Sequence, residues 1–307
     1  MTNKIKNIIV AISNKCNLQC KMCTIWKEKN KIDLDVNTFS KIFKSHCLDE
    51  NFSLTITGGE PFLSKKFHKI IDVIIKNRPE ALKTISTNGV FTNNIVSFLR
   101  DYKSKLPNLS ISISFDGLNR NDEQRGKSKS NILETIREIR NLFPEMRLKL
   151  KFTITPFNYD DILPTYEFCK NIGVEFKIKI SESAENYTNK LGPWTPIWSN
   201  GVKLKTIKNL VTLRDEFFVT NKSGADFIMR TIAALNGKYH LKECRAPFDR
   251  IFVMPNGIVY SCIHLNSIGN LKESSLDEIY LSKSAKDNQT LVMRKECKGC
   301  VSFHGSG

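Results

Sequence analysis

Short apolar segments alternate with amphipathic segments along most of the first 180 residues. The apolar segments are rich in β-branched residues and predict six strands, at 5–13, 52–57, 82–87, 109–115, 148–155 and 174–180. The amphipathic segments have apolar residues three or four positions apart and predict helices at 36–47, 66–77, 92–104, 130–142 and 160–171. This alternation indicates an α/β fold, which we interpret as a partial (βα)6 TIM-like barrel with ligands at the carboxyl ends of its strands.

The pattern weakens after residue 180. A turn-rich aromatic stretch is followed by helix-like segments near 203–219 and 224–237, and we expect Trp194 and Trp198 to pack at a junction between domains. Beyond this stretch, a short cysteine-bearing segment predicts a small C-terminal β-hairpin/helix module. The predicted domains are a barrel at 1–180, a bridging segment at 181–243 and a C-terminal module at 244–307.

Composition limits the class of protein. The 47 Lys and Arg residues exceed the 31 Asp and Glu residues and give a net charge of +16, which favours an anionic small-molecule or peptide substrate. The excess lysines are scattered, without a dense basic run or an aromatic platform, so we do not expect a nucleic-acid partner. Nine cysteines without a secretory signal indicate metal–sulfur ligation in the cytoplasm, and no apolar run is long enough to cross a membrane.

Three cysteines follow the first predicted strand in the run Cys16-Asn-Leu-Gln-Cys20-Lys-Met-Cys23. Three thiolates can hold three irons of a 4Fe-4S cubane and leave the fourth iron open to an outside ligand. Tetrahedral zinc is the alternative, because pairs of cysteines two residues apart often bind it.

The C-x3-C-x2-C spacing resembles the signature of the radical S-adenosylmethionine (SAM) superfamily, in which the fourth iron binds the amino and carboxylate groups of SAM. Later segments match other elements of that family in order. Thr57–Pro61 resembles the GGE element, whose backbone and glutamate bind the SAM amino group. Ser86–Gly89 resembles the TNG element near the ribose and methionyl group. Ser112–Gly117 resembles the SxDG element, although Ser and Asp at strand ends are also common turn formers.

Three further positions are carried over from the resemblance. Arg125 with Gly126 resembles an RG element of SPASM and twitch relatives, whose arginine pairs with the SAM carboxylate. Asn158 matches a cofactor-proximal position, and Met22 falls where relatives place an apolar residue against the adenine, although a structural Met would serve equally well there. The resemblance thus implies that SAM is bound by Met22, Gly58, Gly59, Glu60, Pro61, Ser86, Asn88, Ser114, Asp116, Arg125 and Asn158.

A second set of cysteines comprises Cys244, Cys262, Cys297 and Cys300. The residues between the first two read as strand, Pro-Asn-Gly turn and strand, which would bring those two cysteines together. Four thiolates complete a cubane, and the module resembles the twitch or shortened SPASM module that holds one auxiliary 4Fe-4S cluster. A four-cysteine zinc knuckle is the alternative for this module. Cys47 and Cys169, on predicted helices, are interpreted as structural, with hydrogen-atom donation to a product radical as the other option.

The resemblance implies an enzyme with SAM and two 4Fe-4S clusters as cofactors, reduced by a flavodoxin- or ferredoxin-type donor. It would cleave SAM to a 5′-deoxyadenosyl radical and abstract hydrogen from a sugar-like or nucleotide-linked small molecule, leading to oxidation, dehydration or epimerisation. Modification of a ribosomally synthesised peptide is the alternative, which we rank second because the first predicted strand starts within ten residues of Met1. A basic zinc-containing nucleic-acid-binding protein is a third hypothesis. No pattern identifies a catalytic acid, base or hydrogen-atom donor.

Overall fold

Six parallel strands form the first part of the sheet. The structure is a computed structural model and describes residues 4–190, 196–238, 244–297 and 300. All six predicted strands are confirmed with bounds that differ by a few residues: β1 (Ile5–Ala11), β2 (Leu48–Thr57), β3 (Leu82–Thr87), β4 (Ser110–Ser114), β5 (Arg147–Ile154) and β6 (Glu175–Ile180). Each strand pairs in parallel with the next one along the chain.

Helices connect these strands: α1 (Val36–Ser40), α2 (Phe67–Asn77), α3 (Thr92–Tyr102), α4 (Asn121–Arg125), α5 (Lys129–Leu142) and α6 (Ile162–Asn171). The helix predicted at 36–47 is shorter than expected, because the α-helix ends at Ser40 and a 3-10 helix continues over Lys41–Lys44. The side chain of Asp35 accepts a hydrogen bond from the Thr38 N–H and caps α1 at its start.

The two faces of the sheet differ in character. On β4 and β5, Ile111, Ile113, Leu148 and Leu150 are buried in one hydrophobic core together with residues of the connecting helices. The alternate positions of β4 to β6 carry mainly Ser, Lys and Thr. Parallel strands that are buried on both faces read as continuous apolar runs, so this strict alternation indicates that the face away from the helices is polar.

Two long helices follow β6: α7 (Asn200–Thr220) and α8 (Lys222–Leu235). Both helices predicted after residue 200 are therefore confirmed. Leu210 and Phe217 of α7 belong to the same core as the barrel strands, and Trp198 packs against the small cluster of Ile180 and Ala234. Trp194 lies outside the described residues.

The C-terminal module adds α9 (Ala246–Asp249), β7 (Arg250–Val253), β8 (Ile258–Tyr260), β9 (Ser267–Asn270), α10 (Leu276–Tyr280) and α11 (Lys283–Met293). The predicted hairpin is confirmed as the antiparallel pair β7 and β8. Strand β7 also pairs in parallel with β1, so the module extends the barrel sheet to nine strands in the order β6-β5-β4-β3-β2-β1-β7-β8-β9.

The division into three domains remains a prediction. A single hydrophobic core includes Ile8 of the barrel, Leu213 of the bridging segment and Ile251 of the C-terminal module. Among the described residues, no helix is both long and apolar enough to span a membrane.

Candidate active site

The loop after β1 holds Cys16, Cys20 and Cys23. The Cys23 N–H donates to the carbonyl oxygen of Cys20 at 3.1 Å, which closes a tight turn between those two ligands. The Lys21 N–H donates to the Gln124 carbonyl at 2.9 Å and ties the loop to α4. The structure thus presents the three cysteines on one anchored loop at the carboxyl end of the first strand.

The three thiols lie close enough to influence one another electrostatically. Burial raises the pKa of Cys16 to about 11 and the pKa of Cys23 to about 12, and neighbouring thiols of the set add to both shifts. Burial also raises the pKa of Cys20, against which the Arg125 guanidinium acts, with its Nη1 3.8 Å from the Cys20 sulfur. A cation beside buried thiols favours their thiolate form, which is the form that binds metal.

The Gly58-Gly59-Glu60-Pro61 turn packs directly on the start of the cysteine loop. The Gly59 N–H donates to the Ser13 carbonyl and the Glu60 N–H to the Lys15 carbonyl, both at 2.7 Å. A Cβ at Gly58 would lie 2.4 Å from the Ser13 oxygen, and a Cβ at Gly59 would lie 2.2 Å from the Lys15 oxygen. Both glycines are therefore needed for the close approach of the two backbones.

Glu60 is fully buried and joins the ends of β2 and β3. Its carboxylate accepts hydrogen bonds from the Thr87 hydroxyl at 2.8 Å, the Asn88 N–H at 2.7 Å and the Phe62 N–H at 3.2 Å. Burial raises the pKa of Glu60 to about 7, although these hydrogen bonds lower it. The Asn88 side chain in turn donates to Asn17 in the cysteine loop at 2.8 Å.

Asp116 and Arg125 form a buried ion pair. Arg125 Nε lies 2.7 Å from Asp116 Oδ2, and the Thr153 N–H donates to Asp116 Oδ1 at 2.7 Å. Although burial lowers the pKa of Arg125, the Asp116 carboxylate and the Cys20 thiol raise it above its usual value. Because Arg125 contacts both Asp116 and Cys20, this pair connects the end of β4 to the cysteine loop.

The remaining predicted SAM contacts occupy different surroundings. Asn158 donates from its amide nitrogen to the carbonyls of Asp116 and Thr153, both at 3.0 Å, so it orders the end of β5. The Ser86 hydroxyl accepts a hydrogen bond from Lys151 at 3.0 Å, and Ser114 lies on the same polar face, opposite Lys151 in register. Their roles toward SAM remain predictions.

The second cysteine set is also brought together. Burial raises the pKa of Cys262 to about 11, with further contributions from Cys244 and Cys297, and the pKa of Cys300 responds to all three of these thiols. The His264 N–H donates to the Cys262 sulfur at 3.5 Å. The other two cysteines lie apart from both sets: Cys169 is fully buried in the core, and Cys47 donates its backbone N–H to Asp277.

A polar segment directly after β6 was missed by sequence reasoning. Tyr187 donates its hydroxyl to the Gly58 carbonyl at 2.6 Å, and the Thr24 N–H donates to the Thr188 carbonyl at 2.6 Å. Asn189 donates to the Met22 carbonyl at 3.2 Å, and Asn186 donates to the Ile263 carbonyl at 2.9 Å. This segment therefore contacts both cysteine regions. Its only signal in the sequence is the polar run Asn186–Asn189.

One acidic and one basic side chain beside the second set were also missed. Glu182, His264 and the Cys300 sulfur offer ligand atoms that all lie within 4.8 Å of one another. The position of His264 two residues after Cys262 is the signal that could have found it.

Comparison with known families identifies this arrangement. The radical SAM superfamily model matches residues 10–169, which include the cysteine loop, the glycine turn and the Asp116–Arg125 pair. The chain belongs to the radical SAM superfamily. A second model, an iron-sulfur cluster-binding domain named SPASM, matches residues 244–301. The predicted family and C-terminal module are thus confirmed, and with them SAM and 4Fe-4S clusters as the cofactors.

Curated relatives are similar over most of their length. The chain is 26% identical to a GTP 3′,8-cyclase of Aquifex aeolicus, covering 94% of this chain and 91% of the relative. It is 24% identical to a GTP 3′,8-cyclase of Aliarcobacter butzleri, covering 88% of this chain and 84% of the relative.

Solved radical SAM structures share the fold. Streptococcus suis SuiB bound to S-adenosylmethionine matches with a TM-score of 0.68 at 17% identity, covering 94% of this chain and 68% of SuiB. AnSMEcpe with bound AdoMet and the Kp18Cys peptide matches with a TM-score of 0.69 at 18% identity, covering 96% of this chain and 86% of that protein.

The residues present fit the cofactors. Three mutually coupled thiols on one loop match three irons of a cubane, and the four thiols of the C-terminal set match a complete cubane. Since cluster ligands must be thiolates, the thiols of both sets would lose their protons when the clusters bind.

Proposed function

We propose that the chain is a radical enzyme that abstracts hydrogen from a nucleotide or nucleotide-linked small molecule. The observation that carries the proposal is the cysteine loop, which offers three thiols and leaves one corner of a cubane for SAM. Bound there, SAM and the reduced cluster supply a 5′-deoxyadenosyl radical. The curated relatives, named for a cyclisation of GTP, support a nucleotide as the substrate class.

The protein's own groups then have three tasks. Cys16, Cys20 and Cys23 hold the cluster, while the Arg125 guanidinium favours the thiolate of Cys20. Glu60 and the Gly58–Pro61 turn fix the ends of β2 and β3, and by the family resemblance they would bind the SAM amino group. The segment 186–189 covers the cysteine loop through Thr24 and Met22 and limits the access of water.

Asp116, Asn88, Asn158, Ser114 and Met22 are proposed to border SAM, as the family resemblance implies. Asp116 is committed to Arg125 and Thr153, so its contribution is to orient Arg125. Cys244, Cys262, Cys297 and Cys300 would hold a second cubane with no open corner, and we propose that the chemistry it would supply is electron transfer.

The proposal is tested with anaerobically reconstituted protein, dithionite and SAM. We expect 5′-deoxyadenosine to form, and we expect deuterium from a ribose-deuterated purine nucleotide to appear in it. Cys20→Ala removes one ligand, and Cys47→Ala is the matched control outside both sets. The absence of 5′-deoxyadenosine from the wild type would contradict the proposed activity. Deuterium transfer from a peptide and from none of the nucleotides would replace the substrate class with peptide modification.

A further inference from the structure

The polar face of β4, β5 and β6 carries a cluster of positive charge that the cofactors do not explain. Neighbouring residues in register share a face: Ser86 with Ser112, Ser114 with Lys151, Lys151 with Lys177 and Thr153 with Lys179. The helices pack on the opposite face. These side chains therefore project to the concave side of the sheet.

Charge on this face is balanced at only one end. Toward the amino ends of the strands, Glu175 lies 2.6 Å from Lys177 and 3.8 Å from Lys149. Toward the carboxyl ends, neither Lys151 nor Lys179 forms an ion pair with any described residue. Asp116 lies within electrostatic reach of Lys179 but is already paired with Arg125.

The Lys151 ammonium is poorly solvated. It donates to the Ser86 hydroxyl at 3.0 Å, two strands away across β4. Burial, together with the positive charges of Lys179 and Lys149, lowers the pKa of Lys151 to about 8. Placing a cation in a desolvated position next to other cations is unfavourable unless an anion binds there.

Ser112 provides an independent sign of a ligand. It is fully buried, and its hydroxyl has no hydrogen-bond partner among the described residues. It stands between Ser86 and Lys149 in register, on the same concave face. A buried hydroxyl normally has a hydrogen-bond partner. The unpartnered Ser112 hydroxyl on this face therefore indicates that an oxygen of a ligand accepts its hydrogen bond.

We propose that Lys151, Lys179, Ser86 and Ser112 form a subsite for a phosphoryl group of the substrate. Two ammonium groups and two hydroxyls match the negative charge and the several acceptor oxygens of a phosphate or diphosphate. This inference rests on the proposed function, since it assigns the phosphate end of the proposed nucleotide. It also moves Ser86 from the SAM site to the substrate site.

The test uses inorganic pyrophosphate as the probe and titration calorimetry of the reconstituted protein with SAM bound. Lys151→Met removes the central ammonium, and Lys179→Gln is a second variant at an exposed position that does not endanger folding. Lys76→Gln, on the outer side of α2, removes the same charge far from this face. We expect the affinity for pyrophosphate to fall about tenfold or more in both subsite variants and to stay unchanged in Lys76→Gln.

The alternative source of the anion is the carboxylate of SAM itself, so the affinity for SAM is measured on the same variants. The proposal predicts that the loss in Lys151→Met falls on pyrophosphate. A loss of affinity for SAM in this variant would overturn the proposal. Equal pyrophosphate affinity in Lys151→Met and Lys76→Gln would also overturn it, as would the absence of pyrophosphate binding by the wild type. Wild-type protein that binds pyrophosphate without ever cleaving SAM would contradict the proposed function and leave the subsite standing.

Discussion

The two cysteine regions of this molecule differ in what surrounds them. The N-terminal loop has three thiols and is held by side chains from distant parts of the chain, including Arg125, Asn88 and Asn189. The C-terminal set has four thiols, and its Cys262 follows β8 in the part of the sheet that β7 to β9 add. Three thiols would leave one iron of a cubane without a protein ligand and four would not, which is why we propose radical chemistry at the first site and electron transfer at the second.

Removing a ligand from the N-terminal cysteine loop is expected to have the largest effect. Cys20→Ala leaves two thiols for the cubane and also removes the contact between Arg125 and the Cys20 sulfur. We expect 5′-deoxyadenosine to fall below detection, measured by chromatography after reduction with dithionite. Cys169→Ala, a substitution in the core of the barrel, is the control. Activity retained in Cys20→Ala would mean that the loop does not hold the catalytic cluster.

Removing a ligand from the C-terminal cysteine set is expected to separate SAM cleavage from substrate conversion. Cys262→Ala should lower the iron content from about eight to about four per chain, since each cubane has four irons. The variant should still form 5′-deoxyadenosine but no longer convert substrate. Iron analysis and product analysis on one preparation check both statements. If SAM cleavage disappears together with the auxiliary cluster, the two sites do not have separate roles.

Breaking the buried Asp116–Arg125 pair next to the N-terminal cysteine loop is expected to have the next largest effect. Asp116→Asn leaves the Arg125 guanidinium buried without a counter-ion, and removing one partner of a buried pair costs about 3–5 kcal/mol. We expect the midpoint of denaturant unfolding to fall clearly. Glu123→Gln, which breaks the exposed contact of Glu123 with Arg120, should leave the midpoint unchanged. Equal midpoints for the two variants would contradict the structural role of Asp116.

Sequence reasoning predicted the fold and the family. Strand β3 has the predicted bounds, and the hairpin of β7 and β8 follows from the Pro-Asn-Gly turn, since both signals are local. The pairing of β7 with β1 was not predicted, because contact between residues 7 and 250 has no local signal. The ion pair between Asp116 and Arg125 was not predicted either, although each residue was predicted to contact SAM.

The lysines of the polar face escaped for another reason. Lys149, Lys151, Lys177 and Lys179 belong to an overall excess of lysine that is scattered along the chain. Only the register of β5 and β6 shows that these four share one face and that Glu175 balances just two of them.

The pKa of Lys151 concerns the positive charge on the polar face of β4 to β6. Its pKa of about 8 means that the free protein carries this charge below pH 8 and loses it above. A bound anion favours the charged form and must raise this pKa, so anion binding weakens as the pH rises through 8. Carbon-13 NMR of reductively methylated protein should show one lysine that titrates near pH 8 and shifts upward with sulfate. Lys151→Met should lack this resonance; a resonance that ignores sulfate would contradict the subsite.

The smallest expected effect concerns the segment that contacts both regions. Tyr187→Phe removes one hydrogen bond to the Gly58 carbonyl and should cost about 1 kcal/mol of stability. The variant should also raise the concentration of SAM needed for half-maximal cleavage, because Gly58 belongs to the turn proposed to bind SAM. Tyr166→Phe in α6, which removes the exposed hydrogen bond to Glu216, is the matched control. Identical behaviour of the two variants would assign no positioning role to Tyr187.

The formation of 5′-deoxyadenosine by anaerobically reconstituted protein, measured after reduction with dithionite, tests the central claim most directly. Wild-type protein is predicted to form it, and each of Cys16→Ala, Cys20→Ala and Cys23→Ala is predicted to abolish it. Protein that contains both clusters, binds SAM and forms none of this product would contradict the account.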